Sequence, residues 1–356
     1  MNTELILNAL KNVKDPEIGK DLVTLDMIKD IKITGSKVSL RAVLTTPACP
    51  LKKKIEDDIR QAVLAVPGVS EVEILMDAQV KKSATLSSSE RLAGVKNIIA
   101  VASGKGGVGK STVAVNLAIA LSLSGARVGV LDTDIYGPSI PTLFGLKDKK
   151  PAVDQEKQKI IPLEKYGLKI MSIGFMMREN DAVMWRGPMI HKMLQQFLDD
   201  VLWGELDYLV LDLPPGTGDA QLSLSQLIPI SGAVIVTTPQ DVALADVVRG
   251  IAMFQQVHVP VLGVIENMSF FECPNCHHHS EIFSKGGGKK KAEEMKVNFL
   301  GELPLDIPTR EGSDSGEPIT MKSTHYTQSI RFKEIAQKIA GQLSVIQSTE
   351  PIKISL

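Results

Sequence analysis

Apolar positions in the first 80 residues follow two different periods. Between Leu5 and Val13 they recur at the three-to-four-residue spacing of an amphipathic helix. From Val38 to Leu44 they alternate with polar positions, as in a strand that buries one face. A second helix is predicted after Pro50, and the segment PGVSEVEILM at 67–76 predicts a turn and a further strand. We therefore expect a small α/β domain of about three strands and two helices in this region.

Seven short apolar segments alternate with helical stretches between residues 95 and 350. Their near-continuous apolar character is typical of parallel strands covered by helices on both faces. The pattern predicts a doubly wound α/β domain with a mostly parallel sheet, whose ligand lies at the carboxyl ends of the strands. The polar, serine-rich stretch 81–94 is expected to link it to the small domain of residues 1–80. The seven segments are NIIAVAS, RVGVLD, LKIMSIG, YLVLDL, AVIVTTP, VLGVIEN and FLGELPL.

Composition narrows the classes of partner. With 40 basic and 41 acidic side chains in 356 residues, the chain has no excess positive charge for nucleic acid or an anionic membrane. No apolar run reaches the ~18 residues that a membrane span needs. The N-terminal stretch carries Glu4 and lacks a basic leader, so no export signal is predicted. Three cysteines are too few for a disulfide framework, which favours the reducing cytoplasm.

The segment GKGGVGKST at 104–112 follows a predicted strand and precedes a predicted helix. It matches the phosphate-binding P-loop pattern G-x-x-x-x-G-K-[ST], in which backbone N–H groups and a helix N-terminus face the phosphates. Lys110 is expected to reach the β- and γ-phosphates of ATP, and the Ser111 hydroxyl to bind Mg²⁺. The predicted nucleotide-binding residues are Gly104, Lys105, Gly106, Gly107, Val108, Gly109, Lys110, Ser111 and Thr112.

Acidic residues stand at the ends of two further predicted strands. Asp132 and Asp134 end VGVLDTD, and Asp212 ends YLVLD. Each alone is as well explained as a turn or cap residue. Three carboxylates at the carboxyl ends of strands beside a P-loop favour catalysis, because such groups hold the water shell of Mg²⁺ and orient the attacking water.

Cys273 and Cys276 form a CxxC pair in the segment FFECPNCHHHSEIF. A tetrahedral zinc site or a cubane iron–sulfur cluster takes four protein ligands, so two thiolates are too few. Zinc completed in the same chain by His277, His278 or His279 is one interpretation. A second is a metal centre shared across a twofold dimer, with two sulfurs from each copy. An unmetallated or disulfide-exchanging pair is the third.

The segments KGGVGKS, DTDIYGPS and DLPPGTGD resemble the Mrp/ApbC-type iron–sulfur cluster carrier ATPases, a branch of the deviant Walker A class. The resemblance covers about 95–345 and implies a homodimeric ATPase that carries a [4Fe–4S] cluster between Cys273 and Cys276 of both copies. Apo iron–sulfur proteins and cluster-assembly scaffold proteins are the implied partners. The segments DPEIGKDLVTLDMI and TTPACP resemble the accessory domain of iron–sulfur assembly often fused to such ATPases.

The same resemblance assigns individual roles. Lys105 would cross the dimer interface to the partner's nucleotide, although a solvated lysine is the plainer interpretation. Asp134 would position the attacking water and Asp212 the second shell of Mg²⁺, while Asn267 would contact adenine. Cys49 would be a transient thiol donor or a docking point, since the following helix N-terminus should lower its pKa; a partly buried, inert thiol is the alternative.

Two other functions fit parts of this pattern. A ParA/MinD-like positioning ATPase would need a basic DNA-facing surface or a C-terminal amphipathic membrane helix, and the tail IQSTEPIKISL has neither character. A scaffold stabilised by Zn²⁺ and regulated by nucleotide would use the CxxC pair without transferring a cluster. Metal content separates this second alternative from a carrier.

Overall fold

Helices and strands follow one another largely as the two hydrophobic periods predict. A computed structural model describes residues 2–87, 92–135, 137–177, 187–323 and 325–349. The helices in these ranges are α1 (Thr3–Leu10), α2 (Lys52–Leu64), α3 (Ala84–Ser87), α4 (Lys110–Leu123), α5 (Ile140–Leu143), α6 (Gly187–Asp199), α7 (Asp219–Leu227), α8 (Asp241–Gln256), α9 (Gly287–Glu294), α10 (Ile307–Ser315), α11 (Ile319–Lys322) and α12 (Thr327–Thr349). The strands are β1 (Ile28–Thr34), β2 (Lys37–Leu44), β3 (Glu71–Ala78), β4 (Val95–Ala102), β5 (Val128–Asp132), β6 (Ala152–Asp154), β7 (Lys159–Ile161), β8 (Leu163–Lys165), β9 (Leu168–Ser172), β10 (Leu206–Asp212), β11 (Gly232–Thr237), β12 (Val261–Glu266), β13 (Phe271–Glu272), β14 (His279–Ser280) and β15 (Phe299–Glu302).

Residue contacts divide the chain into two units. One comprises Met1–Lys81 together with the end of the chain from Ala340, and the other Lys82–Ile339. Part of the predicted linker, residues 88–91, and the tail from residue 350 lie outside the described residues. Among the residues that are described, no helix combines the length and the apolar character needed to cross a membrane.

The smaller unit contains the predicted three strands and two helices. Its sheet has the order β1–β2–β3, with β2 antiparallel to β1 and parallel to β3. Every second residue of β2 is buried, as the alternating sequence predicts, and this face packs with Ile6 and Leu10 of α1 and Ile55 and Ile59 of α2. The prediction of a small α/β domain is confirmed.

The larger unit is built on an eight-stranded sheet of order β15–β12–β11–β4–β10–β5–β9–β8. The seven predicted apolar segments form its seven parallel strands, and β4, β5, β10 and β11 are buried almost throughout. The sequence did not predict β8, which pairs antiparallel at the edge and is only half-buried. The doubly wound, mostly parallel fold is thus confirmed.

Strand order brings three loops to one edge of this sheet. Strand β10 lies between β4 and β5, and in register Asp212 stands beside both Val101 and Asp132. Because parallel strands end at the same edge, the loops after β4, β5 and β10 meet there. Helix α4 is fixed beneath them by Asn116, whose Oδ1 accepts hydrogen bonds from Thr320 N and Oγ1 at 3.0 and 2.8 Å.

Candidate nucleotide site and cysteine pair

The loop between β4 and α4 has the backbone shape of a phosphate cradle. Gly107 and Gly109 both have φ of 81°, in the left-handed region that favours glycine. A Cβ on Gly109 would also collide with Nδ2 of Asn267, and one on Gly104 with the side chain of Asp246. Close packing therefore requires glycine at the two fixed positions of the pattern.

Lys110 is buried beneath this loop and forms an ion pair with Asp212. Its Nζ donates to Asp212 Oδ1 at 2.6 Å and lies 3.9 Å from Asp134 Oδ2. Asp212 is fully buried; burial raises the pKa of its carboxyl group, and the Lys110 ammonium opposes that shift. The lysine that should meet the phosphates is thus held by a strand-end carboxylate.

Oxygen atoms that could bind a metal ion lie close to the ammonium group of Lys110. Ser111 Oγ lies 3.3 Å from Lys110 Nζ, and Asp212 Oδ2 makes no hydrogen bond to any described residue. Hydroxyl and carboxylate oxygens are the donors that Mg²⁺ prefers, either directly or through its bound waters. The residues present therefore fit the predicted Mg²⁺, with Ser111 as a ligand and Asp212 beyond the bound water.

The two aspartates at the carboxyl end of β5 have different surroundings. Asp132 accepts hydrogen bonds from Asp134 N at 3.0 Å and from Ser172 Oγ at 2.9 Å, so it shapes the loop. Burial, with a smaller contribution from the charge of Asp212, raises the pKa of Asp132 to about 8. Asp134 instead lines a cavity of about 240 Å³ above the P-loop. Of the pair, only Asp134 is placed to face a nucleotide.

The same cavity is lined by Lys105 and by residues that the sequence reading missed. The Lys105 side chain is half-buried and makes no ion pair within the described part of the chain. Ser103, Ser139, Leu143 and Pro215 complete the wall. Ser139 belongs to the segment DTDIYGPS, so its position after the second strand-end aspartate was an available signal.

Asn267, predicted to contact adenine, holds the P-loop. Its Nδ2 donates to the carbonyl of Val108 at 2.8 Å, and it is not among the residues that line the cavity. It follows Glu266, the last residue of β12, so the end of this strand is attached to the phosphate cradle. The predicted adenine contact remains a prediction, and the bond to Val108 is a role that the sequence did not suggest.

Glu266 attaches the same strand end to α9. Its Oε1 accepts from Ser269 Oγ at 2.6 Å and from Gly286 N at 2.9 Å, and its Oε2 accepts from Gly288 N at 2.6 Å. A fully buried carboxylate with three donors is firmly held. The segment 267–286 that carries the cysteines therefore begins and ends at this carboxylate.

The cysteine pair occupies the turn of a short hairpin formed by β13 and β14. Cys273 donates its N–H to His278 O at 3.0 Å and accepts from His277 N at 2.9 Å. Backbone N–H groups of Asn275 and Cys276 lower the pKa of the Cys273 thiol. Cys273 is half-buried and Cys276 exposed. The turn thus presents two sulfurs at the surface, one of them favoured as a thiolate.

The neighbouring histidines are engaged with a carboxylate. His277 Nδ1 lies 2.8 Å from Glu272 Oε1, and His279 Nε2 lies 3.5 Å from Glu272 Oε2. His279 also stacks on Phe270, with ring centroids 4.7 Å apart. Within the described residues, no three His, Cys, Asp or Glu side chains converge on one point suited to a metal ion. This geometry disfavours zinc held within one chain.

Cys49 lies in the small unit, and the expected low pKa is wrong. Burial raises the pKa of its thiol to about 11; a hydrogen bond from the Leu51 backbone opposes the shift, and the charges of Glu17 and Asp15 add to it. The thiol packs against the apolar core of the unit. Desolvation of the thiol outweighs the one backbone donor at the start of the helix.

Two family profiles together match most of the chain. The profile described as ParA, NUBPL iron-transfer P-loop NTPase, matches residues 94–340, and that of iron–sulfur cluster assembly protein matches residues 3–74. The chain belongs to the NUBPL iron-transfer P-loop NTPase family. The resemblance drawn from the P-loop and the two aspartate segments is thereby confirmed.

Individual relatives agree with this family. The "Iron-sulfur cluster carrier protein" of Synechocystis sp. is 48% identical over 348 residues, which cover 97% of this chain and 99% of the relative. The "Iron-sulfur cluster transfer protein NUBPL" of Dictyostelium discoideum is 52% identical over 257 residues, 72% of this chain and 80% of the relative. The first relative matches nearly the full length of this chain, and the second matches about three-quarters of it.

Solved structures show the same fold. The nucleotide-binding protein of Archaeoglobus fulgidus, in complex with ADP, has a TM-score of 0.57 at 45% identity and covers 64% of this chain and 89% of its own. The cell-division ATPase MinD of Pyrococcus furiosus has a TM-score of 0.52 at 21% identity, over 68% and 98%. The second match shows a shared fold only.

Gly109→Ala should weaken nucleotide binding. A left-handed residue with a Cβ costs about 1–2 kcal/mol, and the collision with Asn267 adds to this, so affinity should fall about tenfold or more. Titration with a fluorescent ATP analogue measures the effect. Gly250→Ala is the matched control, because its Cβ would meet Ile235 and Thr217 at an ordinary 3.9 Å. Equal affinities of the two variants would show that the close contact with Asn267 does not matter.

Alkylation should distinguish the three cysteines. With a pKa of about 11, Cys49 holds only about 0.1% thiolate at pH 8, whereas the lowered pKa of Cys273 increases its reactive form. Iodoacetamide should label the hairpin cysteines first, and Cys49 labelling should accelerate about tenfold per pH unit up to its pKa. Peptide mass spectrometry resolves the sites. Labelling of Cys49 as fast as Cys273 at pH 8 would contradict the burial argument.

Proposed function

We propose that this chain is an ATP-hydrolysing carrier that holds a [4Fe–4S] cluster between two copies and transfers it to apo iron–sulfur proteins. One observation supports it most directly: the hairpin offers two surface sulfurs, and the described residues around them supply no further metal ligands. A cubane cluster takes four cysteine ligands, and a twofold dimer doubles each ligand. The cluster is cargo in this scheme and is loaded by a cluster-assembly scaffold protein.

The nucleotide site provides the chemistry that would drive the cycle. The γ- and β-phosphates of ATP replace Asp212 as the partner of Lys110, because they bring more negative charge to the same buried ammonium. Ser111 would hold Mg²⁺, which would supply positive charge to the phosphates. Asp212, released from Lys110, would accept a hydrogen bond from water at this place, and Asp134 would orient the attacking water.

Lys105 is the residue that makes hydrolysis depend on the second copy. It lines the phosphate cavity without an ion-pair partner among the described residues, so its charge is available to the nucleotide of the facing subunit. A cation supplied in trans stabilises the charge that develops on the transferred phosphoryl group. Association of two copies and hydrolysis are thereby linked.

Contacts just after β12 connect the nucleotide site to the cysteine hairpin that would hold the cargo. Asn267 is bonded to the P-loop at Val108, and Cys273 follows six residues later along the chain. A P-loop that rearranges around phosphates changes the position of Asn267 and, with it, the base of the hairpin. Nucleotide state then biases the population of dimers that hold or release the cluster.

The remaining regions have supporting roles. The domain of residues 1–80 is an accessory unit joined by the linker 81–94 to the ATPase domain of residues 95–350. Its half-buried, protonated Cys49 suits docking better than thiol donation. Exposed cluster-binding thiols need a reducing compartment, so the carrier works in the cytoplasm. Neither nucleic acid nor a membrane is a partner, in line with the balanced charge.

Anaerobic reconstitution with iron and sulfide tests the cargo. The chain should gain visible charge-transfer absorbance and one cluster per dimer, because four sulfurs meet only at the twofold axis. The double variant Cys273→Ala, Cys276→Ala should bind no cluster, and Cys49→Ala, the control, should load normally. Metal analysis decides the alternative: stoichiometric zinc without iron would identify a zinc-stabilised scaffold, and a chain that stays monomeric would exclude a shared cluster.

Substitutions of the two P-loop lysines should differ in their effects on ATP binding and hydrolysis. Lys110→Ala should abolish measurable ATP binding, since it leaves Asp212 and the phosphates without their cation. Lys105→Ala should keep binding within about tenfold while lowering the rate of phosphate release about 100-fold, as expected when a transition-state contact is lost. A fluorescent ATP analogue and a phosphate assay measure the two quantities. Equal losses in binding and rate for Lys105→Ala would exclude a role in trans.

A further inference from the structure

A second cavity of about 450 Å³ lies against the cysteine hairpin, within the larger unit. The hairpin forms one wall, through Phe271 and Pro274. The turn after β15 and the start of α10 form another, through Leu305 and Ile307, and the start of α12 closes the cavity. Ile307 is 46% exposed, so the mouth is apolar as well. None of the nucleotide residues lines this space.

One polar atom of a buried side chain that lines this cavity lacks a hydrogen-bond partner. Gln328 is only 2% exposed; its Nε2 donates to Pro304 O at 3.3 Å, and its Oε1 makes no hydrogen bond to any described residue. A buried acceptor without a donor costs about 1–3 kcal/mol. Gln328 lines the cavity, so an N–H group that entered would recover this energy once the side-chain amide turned Oε1 toward it.

The charged groups lining the cavity are acidic. Asp306 accepts from Tyr326 OH at 2.8 Å and from Thr309 Oγ1 at 2.6 Å, and no lysine or arginine pairs with it within the described ranges. Glu272 contributes a second carboxylate, shared with His277 and His279. Burial raises the pKa of Tyr326, and the hydrogen bond to Asp306 and the charges of Asp306 and Glu272 add to the shift.

Apolar walls, two carboxylates and an unpartnered carbonyl oxygen define the chemistry of an occupant. Its apolar portion would pack against Phe271, Leu305 and Ile307. Its other end would be a cationic group with several N–H donors, facing Gln328 and Asp306. A guanidinium group supplies several N–H donors in one plane and is less strongly hydrated than an ammonium group. An arginine side chain flanked by apolar residues has this character, whereas an anionic ligand would be repelled.

We propose that this cavity binds an arginine flanked by apolar residues in a recipient polypeptide. That the polypeptide is a recipient rests on the proposed carrier function. Pro274 and His277 line the cavity and stand on either side of Cys276 in the turn. An occupant therefore contacts the loop that holds the sulfurs. Docking and cargo release are adjacent steps on one surface.

Two labelled peptides test the ligand class on the full chain without cluster or nucleotide. One is acetyl-Gly-Leu-Arg-Leu-Gly-amide with a fluorophore, and the other replaces arginine by citrulline, which has the same shape and no charge. Fluorescence anisotropy should show the arginine peptide binding about tenfold more tightly, and Gln328→Leu should weaken it about tenfold. The control Gln255→Leu, an exposed position on α8, should bind as the unmodified chain does. Equal binding of both peptides would overturn the proposal.

A second variant tests whether weaker binding arises from the cavity itself and not from loss of folding. Ile307→Ala removes part of an exposed wall and should weaken the arginine peptide several-fold while leaving the circular dichroism spectrum unchanged. Sedimentation velocity tests the other occupant: if the peptide splits the dimer, a second copy fills the cavity and the recipient proposal is wrong.

Cluster loading separates this proposal from the proposed function. If the chain loads and transfers clusters but Gln328→Leu binds peptide and transfers as before, the cavity proposal fails and the carrier function stands. If the arginine peptide binds through Gln328 and reconstitution gives no cluster, the carrier function fails, and only the ligand class of the cavity survives. Slower transfer by Gln328→Leu with unchanged loading supports both.

Discussion

The buried ion pair between Lys110 and Asp212 is the constraint on which the site depends. Both groups are removed from water, and each is tolerated because the other stands 2.6 Å away. Breaking such a pair without a replacement is strongly unfavourable, about 3–5 kcal/mol. Only a ligand that brings concentrated negative charge to Lys110 can displace Asp212. In the proposed function the pair would select phosphates and would free, at the same moment, a carboxylate at the place where Mg²⁺ would bind.

The sheet holds Asp212 in place, and the end of strand β12 connects the P-loop to the cysteine hairpin. Asp212 is fixed by its register between β4 and β5, so it cannot follow Lys110 when the ammonium turns to phosphates. Asn267 is bonded to the P-loop at Val108. Glu266, the residue before Asn267, holds the N-terminus of α9 through two backbone N–H groups. The hairpin with the cysteines lies between these anchors.

Sequence patterns predicted what depends on local chemistry. The parallel strands were predicted from their apolar segments, most clearly for the buried strands β4, β5, β10 and β11, and the P-loop from its glycines. The edge strand β8 was missed because three residues, none of them fully buried, are too few to show a period. The pKa of Cys49 was predicted in the wrong direction, since burial by residues distant in sequence outweighs the local helix terminus. The unpartnered oxygen of Gln328 depends on three chain segments meeting, and no one segment encodes it.

The three cysteines therefore divide between two kinds of environment, and this division bears on how a carrier would work. Cys273 is surrounded by backbone donors that favour the thiolate, the form that binds iron. Cys49 packs against an apolar core beside the acidic Asp15 and Glu17, which favour the neutral thiol. A cluster passed from Cys273 to Cys49 would leave a thiolate for a protonated thiol, which is the weaker metal ligand. This contrast supports the proposal that the hairpin holds the cargo and that the small unit contributes by contact with other proteins.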